Sequence, residues 1–527
     1  MYLFLKKSRY VILLLIVTLA LFWEILLHPN YVIWSPVSDA IAQVSYWNYF
    51  RYKSFNEFNQ FPLWNPYTLS GYPFVSNNIF LFYPFNIPFI FINTFTLMTL
   101  IYILHSFIGG LFLYLYLKKL GLNSFSSFIS SVTYILSLRL AYFVWAGNMG
   151  HITAAILPIL FYFTELYCEK KHKFYLILIT IVLTLQFLGE HIQYFIYTLI
   201  VFFIYYLFRI FTEKESIIKF LKDALLVILI FALLSSIQLL PFIEYSKFVS
   251  RYEGLDYKSA SHISFPPYYI ITLLLPDFFG SYLNGSYWGV YGYWMIGTYI
   301  GILPLIFASL SLFKKNKYTI FFTILAIFLI IFAMGSYTPF FFLFYKFIPL
   351  FNLFRNPVRM LVFFNFSIII LSGFGLDYFL FQINKKRLRA TIKWIFLLFI
   401  LSVISLIIIY FMKDNILNFG EKLLREKVSK SVVQLNTFDY YTNKLKLAYN
   451  EILIGLLFFS IVTLFSTKIY YLKYKKINLN LIKMLIFIII FLDLGLYSMK
   501  FIQVKDPSLV FEKNKVIAKP DEFIYFE

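Results

Sequence analysis

"MYLFLKKSRYVILLLIVTLALFWEILLHP", residues 1–29, decides the architecture. A basic start with Lys6, Lys7 and Arg9 runs straight into an apolar stretch. No small-x-small cleavage site follows and aromatic sequence continues, so the stretch reads as an uncleaved first span with its basic end inside. The unit then repeats. Apolar runs of roughly 18–22 residues, the length of a helical crossing, alternate with short basic clusters such as "EKKHK", "KKNK" and "KKRLRATIK". Barrel strands would instead alternate over about 10 residues.

Composition agrees. The chain is 61% hydrophobic and 13% charged, with mean hydropathy +0.77, more apolar surface than a soluble domain can hide. The net charge of +21 sits in short loops beside apolar runs, which points to membrane lipids of the anionic cytoplasmic leaflet and not to nucleic acid. The single cysteine, Cys168, excludes an intramolecular disulfide and a cysteine-cluster metal site.

The expectation is an all-α polytopic membrane protein with about 13 transmembrane helices. One transmembrane domain covers 1–498. Every second loop is short and basic, hence cytoplasmic; the others are longer, aromatic and nearly balanced in charge, hence extracytoplasmic. The long ones are 28–80, which should carry short interfacial helices, then 244–292 and 335–359. A polar loop is expected at 413–450, and an extracytoplasmic tail at 499–527 that reads as the start of a further domain, missing or split off. The chain is placed in the cytoplasmic (inner) membrane, N-terminus inside and C-terminus outside. "LFYPFNIPFIFI" (81–92), broken by Pro84 and Pro88, reads as re-entrant or interfacial.

The unusual polar residues gather on the outer side. Asp39 and Gln43 lie in "SDAIAQ", Trp64 and Asn65 further along the first loop, and Asn148 and His151 at the turn between the third and fourth spans. Glu190, His191 and Gln193 lie at the next outer turn, Asp277 in the second long loop, and Arg355 and Arg359 in "FRNPVRM". Ionisable groups near membrane depth are costly, so a convergent set points to function. Each also has a structural reading: Asp39 as a helix N-cap, Glu190, His191 and His151 as polar turn residues, Asp277 as an Asx-turn, the arginines as snorkelling side chains. Glu165, Lys170 and Lys171 read as an ordinary cytoplasmic helix end.

No phosphate loop, Walker motif or HExxH occurs. A lone carboxylate with two arginines suits transfer of a group from a lipid phosphate. Asp39 would take the acceptor's hydroxyl proton. Arg355 and Arg359, spaced i and i+4 on one helix face, would hold the donor phosphate. Gln43, Trp64, Asn65, Asn148, His151, Glu190, His191, Gln193 and Asp277 would line the cavity and shape the acceptor site. Any metal is unknown.

A long first outer loop with Asp39 at its start, followed by many spans, resembles the GT-C class of polyprenol-phosphate-dependent glycosyltransferases. The ordered set "SDAIAQ", "FPLWNPYTLSGYPF", "GNMGHITAAILP", "LGEHIQYF", "QLLPFIEYSKFVSR", "LLPDFFG" and "LFRNPVRML" resembles the bacterial YfhO family. This resemblance implies a GT-C-like fold and Asp39 as catalytic base. It implies glycosyl transfer from a polyprenyl-phosphate sugar onto a cell-envelope glycan or lipid acceptor, such as a teichoic acid. It also implies a separate donor-synthesising glycosyltransferase and a flippase as partners. No nucleotide is needed and no cofactor is assigned; a divalent metal is left open. Members of the family usually continue into a further outer domain, from which this chain departs. The rival readings are a transporter or flippase of lipid-linked glycans, and a non-catalytic scaffold.

Overall fold

The computed structural model describes residues 2–511 apart from 69, 77–79, 92–94, 250–251, 349–350 and 430–435. The chain opens with α1 (Tyr2–Leu21) and the short α2 (Trp23–Leu27). The first long loop holds β1 (Val32–Ile33), one π-helical turn (Ala40–Val44), α3 (Ser45–Asn56), β2 (Trp64–Asn65), β3 (Tyr72–Pro73) and a 3-10 helix (Pro84–Ile90). Next come α4 (Phe95–Lys119), α5 (Ser124–Ile135), α6 (Leu138–Trp145), α7 (Gly150–Lys170), α8 (Phe174–Gly189), α9 (Ile192–Thr212) and α10 (Ile217–Ser246). The middle of the chain adds α11 (Tyr257–Ala260), α12 (Tyr293–Ile296), α13 (Ile302–Ser311), α14 (Lys317–Ala333), α15 (Pro339–Phe347) and α16 (Leu361–Phe381). It closes with α17 (Lys385–Phe411), α18 (Lys413–Ser429), α19 (Asn436–Tyr474), α20 (Leu479–Ile490), α21 (Leu496–Met499), β4 (Val504–Lys505) and α22 (Pro507–Phe511).

Among the described residues, nine helices are long and apolar enough to cross a membrane; Arg9–Leu21, α8, α13 and α14 are shorter apolar helices. The protein is therefore an all-α polytopic membrane protein. Its packing is that of a chain solvated by lipid. In α1, Leu14, Val17, Thr18 and Leu21 are buried while Ile12, Ile16 and Leu19 face outward, a period-3.6 stripe whose outer face is as apolar as its inner one. Small hydroxyls fill the close contacts instead. Ser127, Ser130, Ser131 and Thr133 of α5 are fully buried and donate back to carbonyls four residues earlier. The middle of the bundle is α16, buried along nearly its whole length and packed on α13, α14 and α5.

One end of the bundle is rich in lysine and tied by carboxylates. Lys171 pairs with Glu215 at 2.5 Å, Lys317 with Glu213 at 3.2 Å and Lys314 with Asp377 at 2.7 Å. Glu165, expected as an ordinary helix end, is instead a buried hub. It lies 2.8 Å from Arg209 Nε and accepts hydrogen bonds from Tyr318 (3.0 Å) and Tyr205. Breaking such a pair strands a buried charge. Arg209→Met is expected to cost about 3–5 kcal/mol, read as a lower midpoint of thermal unfolding in detergent, with Glu165→Gln added to it recovering most of the loss.

Several local expectations change. The third span (125–145) is broken at Leu136–Ser137 into α5 and α6. The freed backbone is satisfied from elsewhere: Leu138 N–H donates to Tyr299 O (3.2 Å) and Ser498 Oγ donates to Leu136 O (2.7 Å). The loop expected at 413–450 is largely helix, because α19 has 39 residues and, at 1.5 Å each, is about 58 Å long, some twice a bilayer core. The tail folds back. β4 pairs antiparallel with β1, Val32 opposite Lys505 and Ile33 opposite Val504, and Phe501 and Ile502 are buried. The rest of the tail, 512–527, lies outside the described residues.

Candidate functional site

The end of the bundle opposite the lysines carries Asp39. Its local structure follows from "SPVSD". Ser35 Oγ accepts from Val37 N–H (3.2 Å) and Ser38 Oγ from Ile41 N–H (3.3 Å), so Ser38 caps the helix that follows. Asp39 stands at the N-cap position of the π turn with no side-chain cap hydrogen bond, which removes its capping role. Among the described residues nothing hydrogen-bonds its carboxylate. Its backbone N–H donates to Ala146 O at 2.8 Å, seating it on the turn between α6 and α7. Gly147 makes that approach feasible: its φ is +61°, and a Cβ there would lie 2.2 Å from Ala40 N. Gly147→Ala is therefore expected to push the Asp39 turn outward and unfold at lower temperature than wild type in a thermal melt. The Asp39 side chain reaches solvent, yet burial among protein walls raises its pKa, against the pull of Arg359. That combination marks a group in a recess.

Beside it lies a recess of about 30 Å³ lined by Arg139, Phe143, Asn148, Tyr194, Asn356 and Arg359, with Met295 and Val358. The space takes one or two water-sized groups. Arg359 donates to Gln193 Oε1 (2.9 Å), lies 3.2 Å from His191 Nδ1 and stacks over the Tyr194 ring at 5.2 Å. Arg139, 4% exposed, donates to Met295 O at 2.7 Å. Asn356 has φ +62°, which asparagine tolerates. It is 4% exposed, and its Oδ1 is buried without a hydrogen-bond partner.

The surrounding residues hold this frame. Glu190 Oε2 accepts from the Thr153 N–H (2.6 Å) and Oγ1 (2.7 Å), so it caps the first turn of α7 from the end of α8. Burial pushes its pKa well up, against those hydrogen bonds and Arg359. His191 caps α9, its Nδ1 accepting from Gln193 N–H at 3.2 Å. Gln193 donates to Tyr197 OH (2.9 Å) and to Arg355 O, so it ties α9 to the "FRNPVRM" turn. Asn148 Oδ1 accepts from Gly150 N–H (2.9 Å), and the Asn148 carbonyl accepts from His151 Nδ1 (3.0 Å). Thus Asn148, Glu190, His191 and Gln193 surround the recess mostly as caps and ties.

Other expected members lie elsewhere. Arg355 and Arg359 do not share a helix face, because Asn356 turns left-handed between them and the 3-10 helix begins at Pro357. Arg355 is exposed and does not line the recess. Trp64 and Asn65 form a hairpin with β3, pairing with Pro73 and Tyr72. Trp64 is 55% exposed, and Asn65 Oδ1 accepts from Tyr67 N–H (2.9 Å) in an Asx-turn. Gln43 is exposed. Asp277 lies near Tyr497, Glu451 and Lys500, and burial pushes its pKa up to about 7. A carboxylate raised in the fold favours folding below its unfolded pKa and loses that contribution as pH rises through about 7. Wild type is expected to lose about 2–4 kcal/mol on this account between roughly pH 4 and 7, and Asp277→Asn to flatten that part of a melting-temperature profile.

Two features went unread in the sequence. Arg139 stands alone in the apolar run "LSLRLAYFVW", and a lone arginine in a span is itself a signal. His105, inside α4, accepts from Tyr83 OH (2.5 Å) and lies 5.3 Å from the His151 ring, edge to face. His151 Nε2 is buried without a hydrogen-bond partner.

Among the described residues no group of three or more His, Cys, Asp or Glu could hold a metal ion. No curated protein and no solved structure matches the chain. The family described as "6-pyruvoyl-tetrahydropterin synthase related domain; membrane protein" matches residues 86–412, which takes in α4 to α17 and every residue lining the recess, while Asp39 precedes the matched stretch. The chain belongs to that family of membrane proteins.

Proposed function

We propose that the protein is a membrane glycosyltransferase of GT-C type, moving a sugar from a polyprenyl-phosphate donor onto a cell-envelope glycan or lipid. The observation that supports this most is Asp39: an unengaged carboxylate with a raised pKa, near a guanidinium, at the bundle end away from the lysines. In the reaction the acceptor O–H gives its proton to Asp39. The acceptor oxygen bonds to the sugar's anomeric carbon, and the bond from that carbon to the phosphate oxygen breaks. Polyprenyl phosphate leaves, its charge held by Arg359. A base whose pKa is raised toward the working pH is the better proton acceptor. Placing the lysine-rich end in the cytoplasm puts the site outside and the start of α1 inside. Thirteen crossings require the four shorter apolar helices to cross as well.

The direct test uses purified protein in lipid nanodiscs with a radiolabelled polyprenyl-phosphate hexose and extracted envelope polymer. Label passing to the polymer supports the reading. Donor left intact, with the protein folded, counts against it.

One observation favours a second reading. The break between α5 and α6 with buried Arg139 just beyond it is the kind of discontinuous, charged helix that transporters place at their binding sites. Translocation of a phosphate-bearing lipid without sugar transfer would select that reading.

A further inference from the structure

We infer that the groove between α8, α9 and α10 seats one phospholipid with a primary-ammonium head group, a phosphatidylethanolamine of the surrounding bilayer. Its acyl chain lies in the groove, its ammonium meets Asp223, and its phosphate faces Lys222 and Lys173. The inference does not rest on the transferase reading, because the groove lies away from Asp39.

The groove has a volume of about 450 Å³. It runs from Leu176 to Leu183 on α8, from Tyr206 back to Ile196 on α9, and from Phe220 to Ile228 on α10. The step from Ile196 to Tyr206, at 1.5 Å per residue, makes it about 15 Å long, one leaflet of a hydrocarbon core roughly 30 Å thick. Phe203 and Ile228 on its wall are exposed, so it opens sideways to lipid. A partner helix about 10 Å wide would need roughly 1,200 Å³ over that length, so the space suits a chain and not a helix. It does not continue the recess at Arg359. Ile196 faces the groove, nearly opposite on α9 to Tyr194, given about 100° per residue.

The independent sign is Asp223. It lies on the groove wall and is 6% exposed. Tyr167 OH (2.5 Å) and Tyr206 OH (2.8 Å) both donate to its Oδ2, which ties α10 to α7 and α9. Among the described residues Oδ1 accepts no hydrogen bond, and no cation lies within ion-pair distance of the carboxylate. Lys219, one turn earlier on the same face, turns to Glu215 instead, at 3.1 Å. The tie needs only one oxygen, and a charge at membrane depth is costly. The second oxygen, in an otherwise apolar groove, asks for a cationic donor that arrives attached to an acyl chain.

The mouth supplies the opposite charge. Lys222, next to Asp223, and Lys173, one turn before Leu176, are exposed and have no ion-pair partner among the described residues. Their long stems reach the membrane surface. A phosphoethanolamine head carries the complementary pair, an anionic phosphate and a proton-donating ammonium two carbons apart. A choline head has the cation but no N–H, and a glycerol head has hydroxyls but no cation.

The test counts bound lipid and needs no activity. Full-length protein in detergent is titrated with phosphatidylethanolamine, phosphatidylcholine and phosphatidylglycerol of identical chains, and native mass spectrometry reads the lipid retained per protein. Wild type should keep one phosphatidylethanolamine, at least about tenfold more tightly than either other lipid, the scale of one charge-assisted hydrogen bond. Ala224→Phe puts a ring into the groove from its wall and should lower retention of all three lipids, while the lipid-free protein melts as wild type does. In Asp223→Asn the amide oxygen keeps both tyrosine hydroxyls and turns an N–H₂ toward the groove. Its affinity for phosphatidylethanolamine should fall to that for phosphatidylcholine, which stays unchanged. If Asp223→Asn does not fold, the head-group series and the groove-filling variant decide. The inference is overturned if wild type retains none of the lipids, or holds phosphatidylcholine or phosphatidylglycerol as tightly as phosphatidylethanolamine. It is equally overturned if a folded Ala224→Phe or Asp223→Asn keeps the wild-type preference and affinity.

Discussion

Asp39→Asn lowers sugar transfer by about 10²–10⁴-fold, the usual contribution of a positioned general base, while the protein inserts and melts as wild type does. The structure separates the two effects cleanly. The Asp39 carboxylate caps nothing, because Ser38 Oγ takes the Ile41 N–H, so the isosteric amide removes proton-accepting power and no structural hydrogen bond. A pH profile checks the assignment. Burial raises the Asp39 pKa, so wild-type transfer should fall on acidification at higher pH than an ordinary carboxylate would give. The residual activity of Asp39→Asn should lack that limb. A variant that keeps the acid limb would assign the base to another group.

Arg359→Gln should lower transfer by about 10²–10³-fold, the scale of losing one charge-stabilising donor, with part of the loss in KM for the donor. Arg359 lies at the crossing of two roles. It binds Gln193 and His191 at the start of α9 and stacks on Tyr194, and its charge lowers the Asp39 pKa against burial. Removing the charge lets burial act alone, so the acid limb of the pH profile should move to still higher pH. A purely structural arginine would change stability and leave that limb in place. Arg359→Lys should restore the limb and only part of the rate, because the ammonium keeps the charge without the fork.

What the sequence made legible is what repeats locally. Lipid-facing helices need no partner to be recognised, since apolar length and flanking lysines suffice, and α1, α4, α7, α9 and α10 fall where the apolar runs lie. Asp39 and Arg359 could be picked out as charges stranded among aromatic residues. What could not be read was assembly. Arg355 and Arg359 look like helix neighbours by spacing, but Asn356 at φ +62° breaks the geometry. The break at Leu136–Ser137 carries no Gly or Pro, and its freed backbone groups are met by Tyr299 and Ser498, far along the chain. Glu190 read as a cavity residue shaping the acceptor site because carboxylates are rare at membrane depth, and only the Thr153 contacts show it capping a helix. Asp277 was grouped with Asp39 by side of the membrane alone, whereas its neighbours are Tyr497, Glu451 and Lys500.

The most direct measurement is envelope-glycan mass spectrometry on cells carrying wild-type protein, Asp39→Asn or an empty vector, with membrane levels of the two proteins matched. The account predicts a sugar addition on an envelope polymer or lipid with wild type and none with Asp39→Asn or vector. The same addition with Asp39→Asn as with wild type would contradict it.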